Sequence, residues 1–192
     1  MLNSSLCSLI WHFSQQYVAA YQKQFNHLPL AEVDDQWPSP CIIQPFDELL
    51  NEWQPQKIST PLSFKNVEKA LDIELHDDIC QYFTTIFSES MPANCKHGEL
   101  SLLFAWSEDD FIRLQENIIG HILMKQKLKQ KITIFFAVTD DDNFILSIDN
   151  DDGSVWVERI GREPHKKLAD SLAQFIQQLT PFIYIEQQSE KT

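Results

Sequence analysis

The densest set of chemically capable side chains lies in one block, Trp106-Ser107-Glu108-Asp109-Asp110-Phe111, followed by Arg113, Glu116, Asn117 and His121. Carboxylates and an imidazole in one segment could serve acid–base catalysis, cation binding or recognition of a basic partner. Acid–base work needs two groups within hydrogen-bond reach of one substrate, with pKa values pushed apart. Asp110 and His121 are about 16 Å apart along a helix, so they do not act on one atom. Glu116 and His121 lack the H-E-x-x-H spacing of a zinc site, and no G-x-S-x-G elbow, P-loop or G-x-G-x-x-G occurs. The 4 glycines are too few for phosphate-cradling loops. The residues therefore predict a binding protein, not an enzyme, with no cofactor, no metal and no catalytic residue.

Acids recur elsewhere. Between His27 and Gln56 stand Glu32, Asp34, Asp35, Asp47, Glu48 and Glu52, with no Lys or Arg. Asp140 to Asp142 and Asp149 to Asp152 add a second acidic stretch. A calcium loop does not fit it, because Gly153 at the sixth place would put Ile148 first. Hairpin turns are the expectation there. Lys125, Lys127, Lys129 and Lys131 read as a solvated basic helix end that offsets the helix dipole. The histidines are scattered. Cys7, Cys41, Cys80 and Cys95 form no C-x-x-C pair, so they are expected to be reduced and to serve mostly as small buried hydrophobes.

Positioning these groups requires regular elements. Leu6, Leu9, Ile10, Phe13, Tyr17, Ala20, Tyr21 and Phe25 have helical spacing, which predicts a core-packed amphipathic helix near residues 3–26. Residues 27–62 carry six prolines and read as loops anchored by Trp37 and Trp53, with a short strand at Cys41-Ile42-Ile43. Helices are predicted at 64–71 and 76–87, and a buried strand around Leu100 to Phe104. Ser107, with Asp110 three residues on, resembles a capping box at the start of a long helix. Its Phe111, Ile118 and Ile122 face inward, and Asp109, Arg113, Glu116 and Gly120 face outward, with Asp109 and Arg113 spaced to pair. Asp110, Asn117 and His121 fall at the border. Strands at 132–138, 143–148 and 154–159 with Asp-rich turns make an antiparallel meander. A last helix is expected at 165–179, with Leu168, Leu172, Phe175, Ile176 and Leu179 inward.

The sum is a mixed α/β (α+β) single domain over 1–185, with a central, largely antiparallel sheet covered by helices and a short tail at 186–192. A length of 192 residues and 43% hydrophobic content suffice for one core. The net charge of −13 argues against nucleic acid and against anionic lipid, leaving basic proteins as partners or none. The first 22 residues carry no charge but are too often interrupted by polar residues for a signal peptide, and no stretch is apolar enough to span a bilayer.

Four segments carry a family resemblance: Pro38-Ser39-Pro40-Cys41-Ile42, Trp53-Gln54-Pro55, Val67-Glu68-x-Ala70-x-Asp72-Ile73 and the block from Trp106 to His121. Together they resemble the Syd family of SecY-interacting proteins of proteobacteria, in order and over nearly the whole chain to Leu179-x-Pro181. The resemblance implies the fold shared within the wider Syd/SUKH superfamily. It also implies a cytoplasmic protein loosely attached to the inner face of the inner membrane, binding SecY through an acidic concave groove. Quality control or restraint of the translocase would be its role. By motif, the implied contact residues are Glu108, Asp109, Asp110, Arg113, Glu116, Asn117 and His121, with Glu68 and Asp72 from the second block. The alternatives left open are an immunity-like inhibitor of a basic nuclease toxin and, last, an acid–base hydrolase. The positive-inside bias of cytoplasmic membrane-protein loops gives an acidic domain its complement.

Overall fold

The computed structural model describes residues 5–184; the predicted tail at 186–192 lies outside them. Helix α1 (Leu6–Phe25) begins at Ser5, whose hydroxyl accepts from the Ser8 N–H, and ends at Asn26 in the left-handed region. The proline-rich stretch after it folds into strands β1 (Leu30–Glu32), β2 (Ile42–Pro45) and β3 (Leu50–Trp53), a small antiparallel sheet of order β1-β3-β2. Strand β4 (Gln56–Lys57), helices α2 (Lys65–Leu71) and α3 (Asp77–Phe83) and strand β5 (Ile86–Phe87) lead on to the main sheet.

That sheet contains β6 (Met91–Cys95), β7 (Gly98–Leu102), β8 (Thr133–Thr139), β9 (Phe144–Asp149), β10 (Val155–Arg159) and β11 (Pro164–Ala169) as a continuous meander. The long helix α4 (Glu108–Lys127) interrupts it between β7 and β8. After the short helix α5 (Leu172–Ile176), strand β12 (Thr180–Pro181) returns to the free edge of β6. Every pair in the sheet is antiparallel.

The two faces of the sheet are told apart by neighbours on β8. Phe135 meets the His121 ring of α4 edge-on at 5.4 Å, while Phe136 meets Tyr82 of α3 at 5.6 Å and Phe175 of α5 at 5.8 Å. Period-2 alternation thus sends one side chain to each helical layer. A bulge at this point leaves Phe136 outside the β8–β9 ladder. Its carbonyl accepts instead from the Leu103 N–H and the buried Tyr82 hydroxyl, so that acceptor stays satisfied.

Two expected helices are shorter than predicted. The helix expected at 76–87 stops at Phe83, and Ile86 and Phe87 are buried by pairing with β4. Thr84 and Thr85 end it by bonding their hydroxyls back to the carbonyls of Cys80 and Gln81. The helix expected at 165–179 is a strand to Ala169 and a helix only from Leu172, capped by the Ser171 hydroxyl. Leu168, Leu172, Phe175, Ile176 and Leu179 are all buried, but the spacing bridges two elements. All four cysteines are free, but only Cys41 is the small buried hydrophobe expected, its thiol pushed up to about 11 by burial; Cys7, Cys80 and Cys95 are half-buried instead.

Candidate functional site

Three of the four family-like segments meet at the start of α4. Ser107 caps the helix, its hydroxyl accepting from the Asp110 N–H at 3.3 Å. The Asp110 carboxylate turns back to the Trp106 N–H at 2.9 Å, one residue earlier than the cap N–H that a capping box would use. Together these bonds fix Trp106 against the helix end. Its indole stands edge-on to Trp53 at 5.8 Å, and Trp53 stacks on Tyr17 of α1 at 6.3 Å. The Ser39 hydroxyl donates to the Trp106 carbonyl and accepts from the Cys41 N–H at 3.1 Å. The Pro-Ser-Pro-Cys segment is therefore a strap that holds the α4 entrance to the small sheet.

Beside this junction lies an open cavity of about 330 Å³, walled by Trp37, Phe104 and Trp106 and carrying the carboxylates of Glu89 and Asp110. No Lys or Arg lines it. Burial, and then the neighbouring charge of Asp110, hold the Glu89 carboxyl above the usual carboxylate range, against a Ser90 N–H that lowers it. Glu108 and Asp109 are exposed at the same helix start. Trp37 ends a turn in which its N–H donates to the Asp34 carbonyl, so the exposed Asp34 and Asp35 stand beside it. The predicted pairing of Asp109 with Arg113 does not form. The exposed Arg113 guanidinium lies instead over the Trp37 ring at 4.5 Å, a cation–π contact at the solvent boundary.

The remaining motif residues separate. Glu116 and Asn117 are exposed further along α4. On α2, which packs against α4, the Glu68 carboxylate accepts from the Leu75 N–H at 3.0 Å. Asp72 is the left-handed C-cap of that helix at φ 52°, with its N–H on the Glu68 carbonyl. Both thus shape the α2–α3 turn. His121 belongs to a buried cluster three turns from the α4 start. Its Nε2 is 3.9 Å from Glu158 Oε1, and burial holds its pKa below the ordinary 6.5, with Glu158 raising it and Lys125 lowering it again.

Lys125 corrects the reading of a solvated basic helix end. It is fully buried, with Nζ 2.6 Å from Glu158 Oε1 and donating to the Arg162 carbonyl at 3.1 Å. Glu158 also accepts from the hydroxyls of Thr133 at 2.6 Å and Ser147 at 2.9 Å. A buried ion pair, with Glu158 Oε2 held by two hydroxyls and Oε1 facing the Lys125 ammonium, thus pins the C-terminal half of α4 to the sheet. Lys131 in turn pairs with Asp149, which is buried, and lies 4.0 Å from Asp151. The second acidic stretch is therefore partly neutralised within the molecule, and Asp152 is engaged by Ser154. Among the described residues, the acids of 32–48 and of the α4 entrance carry no ion pair, and neither do Asp77 and Asp78 at the start of α3 or Asp140 to Asp142 in the β8–β9 turn.

Glu89, Phe104 and the role of Trp37 were not legible as site features in the sequence. Glu89 sits between two serines with no motif around it, and only the fold brings it to Asp110.

Comparison with known proteins agrees with the resemblance. The family model described as Syd protein (SUKH-2) matches residues 8–181. A Protein Syd of Colwellia psychrerythraea is 56% identical over 187 residues, covering 93% of this chain and 94% of that protein. One from Alteromonas mediterranea is 49% identical over 149 residues, covering 77% and 82%. One from Yersinia pestis is 35% identical over 182 residues, covering 95% and 99%.

Proposed function

Because this chain belongs to the Syd family, we propose that it is a binding protein whose partner is the SecY subunit of the protein translocase, engaged through its basic cytoplasmic loops. The observation that carries the reading is the α4 entrance, where exposed Glu108 and Asp109 adjoin an aromatic cavity with two carboxylates and no lining cation. Asp34 and Asp35 extend the same negative face. Glu116 continues it along α4 with Asn117 and Arg113 beside it, Asp110 both ties the helix start and lines the cavity, and Glu68, Asp72 and His121 act by shaping the elements beneath. No helix among the described residues is long and apolar enough to cross a membrane, so attachment to the cytoplasmic face would come through the partner. Recognition of excess or misassembled SecY, with restraint of the translocase, follows as the biological role.

Complementary fields of this kind act on association rate and orientation. In pull-downs from SecY-containing membranes, the triple change Glu108→Lys, Asp109→Lys and Asp34→Lys should lower recovery at least about tenfold, as loss of several charge contacts would. Recovery equal to that of the unaltered protein would sink the site assignment.

A further inference from the structure

We infer that the cavity at the α4 entrance is a receptor for a single cationic side chain of a bound segment, with arginine preferred over lysine. This deepens the docking reading and rests on it only for the source of that side chain. Three aromatic walls, Trp37, Phe104 and Trp106, surround a space of about 330 Å³, some ten times one water's share of liquid volume of about 30 Å³. That is room for a long side chain.

The two carboxylates decide its chemistry. Asp110 Oδ2 is taken by the Trp106 N–H at 2.9 Å, and Glu89 Oε2 accepts from the Ser90 N–H at 3.3 Å. Among the described residues no hydrogen bond reaches Asp110 Oδ1 or Glu89 Oε1. An apolar guest would desolvate these oxygens without replacing their water, at a cost. An anion would add a third negative charge. A cation satisfies both carboxylates beside an aromatic wall that attracts it. Arginine is favoured because its planar fork reaches two acceptor oxygens while its face stacks on an indole. The molecule already makes one such contact, Arg113 over Trp37 at 4.5 Å.

The test uses the full chain labelled with ¹⁵N, with the indole N–H signals of Trp37 and Trp106 assigned through Trp37→Phe and Trp106→Phe. N-acetyl-arginine amide is titrated in, then the lysine and citrulline counterparts. The expected result is saturable movement of both signals with arginine, weaker binding of lysine and none of citrulline. Glu89→Gln, which keeps the size of the wall and leaves the helix cap intact, should weaken arginine binding about tenfold or more. Absence of saturable movement, or equal binding of citrulline, overturns the receptor. A synthetic peptide copying a basic SecY loop is then added to the same samples. Peptide binding that leaves both indoles unmoved overturns the receptor and leaves docking standing. No peptide binding alongside intact arginine binding contradicts docking and leaves the receptor.

Discussion

Glu89 shares its cavity with Asp110, and its raised carboxyl pKa makes it a cost to the free protein. A group whose folded pKa lies above its unfolded value binds more protons when folded, so stability falls as pH rises through the window between the two. Glu89→Gln removes that loss. The variant should melt at a higher temperature than the unaltered protein at pH 7, with the difference fading once pH falls below about 4. Thermal melts at the two pH values check it; a lower melting temperature at pH 7 contradicts it. The same residue is thus expected to lower stability and raise affinity for a basic segment. His121 has the opposite sign. Its folded pKa is held below 6.5 by burial, so the unfolded chain takes up the proton first and stability declines as pH drops below that value. His121→Gln should flatten the decline of stability as pH falls beneath 6.5, followed by urea unfolding.

At the scale of elements, α4 presents the site with its first turn and is anchored by its last. Lys125→Met would leave Glu158 buried without its cation and should cost about 3–5 kcal/mol in urea unfolding. Adding Glu158→Gln, which keeps acceptors for Thr133 and Ser147, should recover part of that loss. A cost below about 1 kcal/mol for Lys125→Met would contradict the anchoring. The β9–β10 turn sets a second constraint. Gly153 has φ +72°, and a Cβ there would come within 2.4 Å of the His76 ring, which caps α3 through its Nδ1. Gly153→Ala should therefore cost about 1–3 kcal/mol by combining backbone strain with a displaced cap.

These elements also mark what was legible in the sequence. Apolar periodicity located α1, α4 and the β8–β10 meander because each has one buried face and its own turn or cap signal. It failed at 165–179, where burial at helical spacing passed from β11 into α5, and at Lys125, where a charge sits on a buried position. Periodicity records which positions are inside; it does not record that an ammonium can be satisfied there by a carboxylate from a distant strand.

For the whole molecule, the net charge of −13 is less informative than its placement. Lys131 offsets Asp149 in the β9–β10 turn, while the acids of residues 32–48 and of the α4 entrance carry no ion pair and keep their charge beside the aromatic cavity. The family-like segments were readable one by one, but their convergence through Ser39, Trp53 and Trp106 is a property of the fold. With a Debye length of about 8 Å at physiological ionic strength, binding to a basic loop should weaken steeply with added salt, mainly through a slower association rate. The most direct measurement is photocrosslinking in cells from a reactive amino acid at position 109, with position 177 on α5's exposed C-cap as control. The account predicts a crosslink to SecY from 109 and none from 177. Crosslinking from 177 alone, or from 109 only to proteins other than SecY, would contradict it.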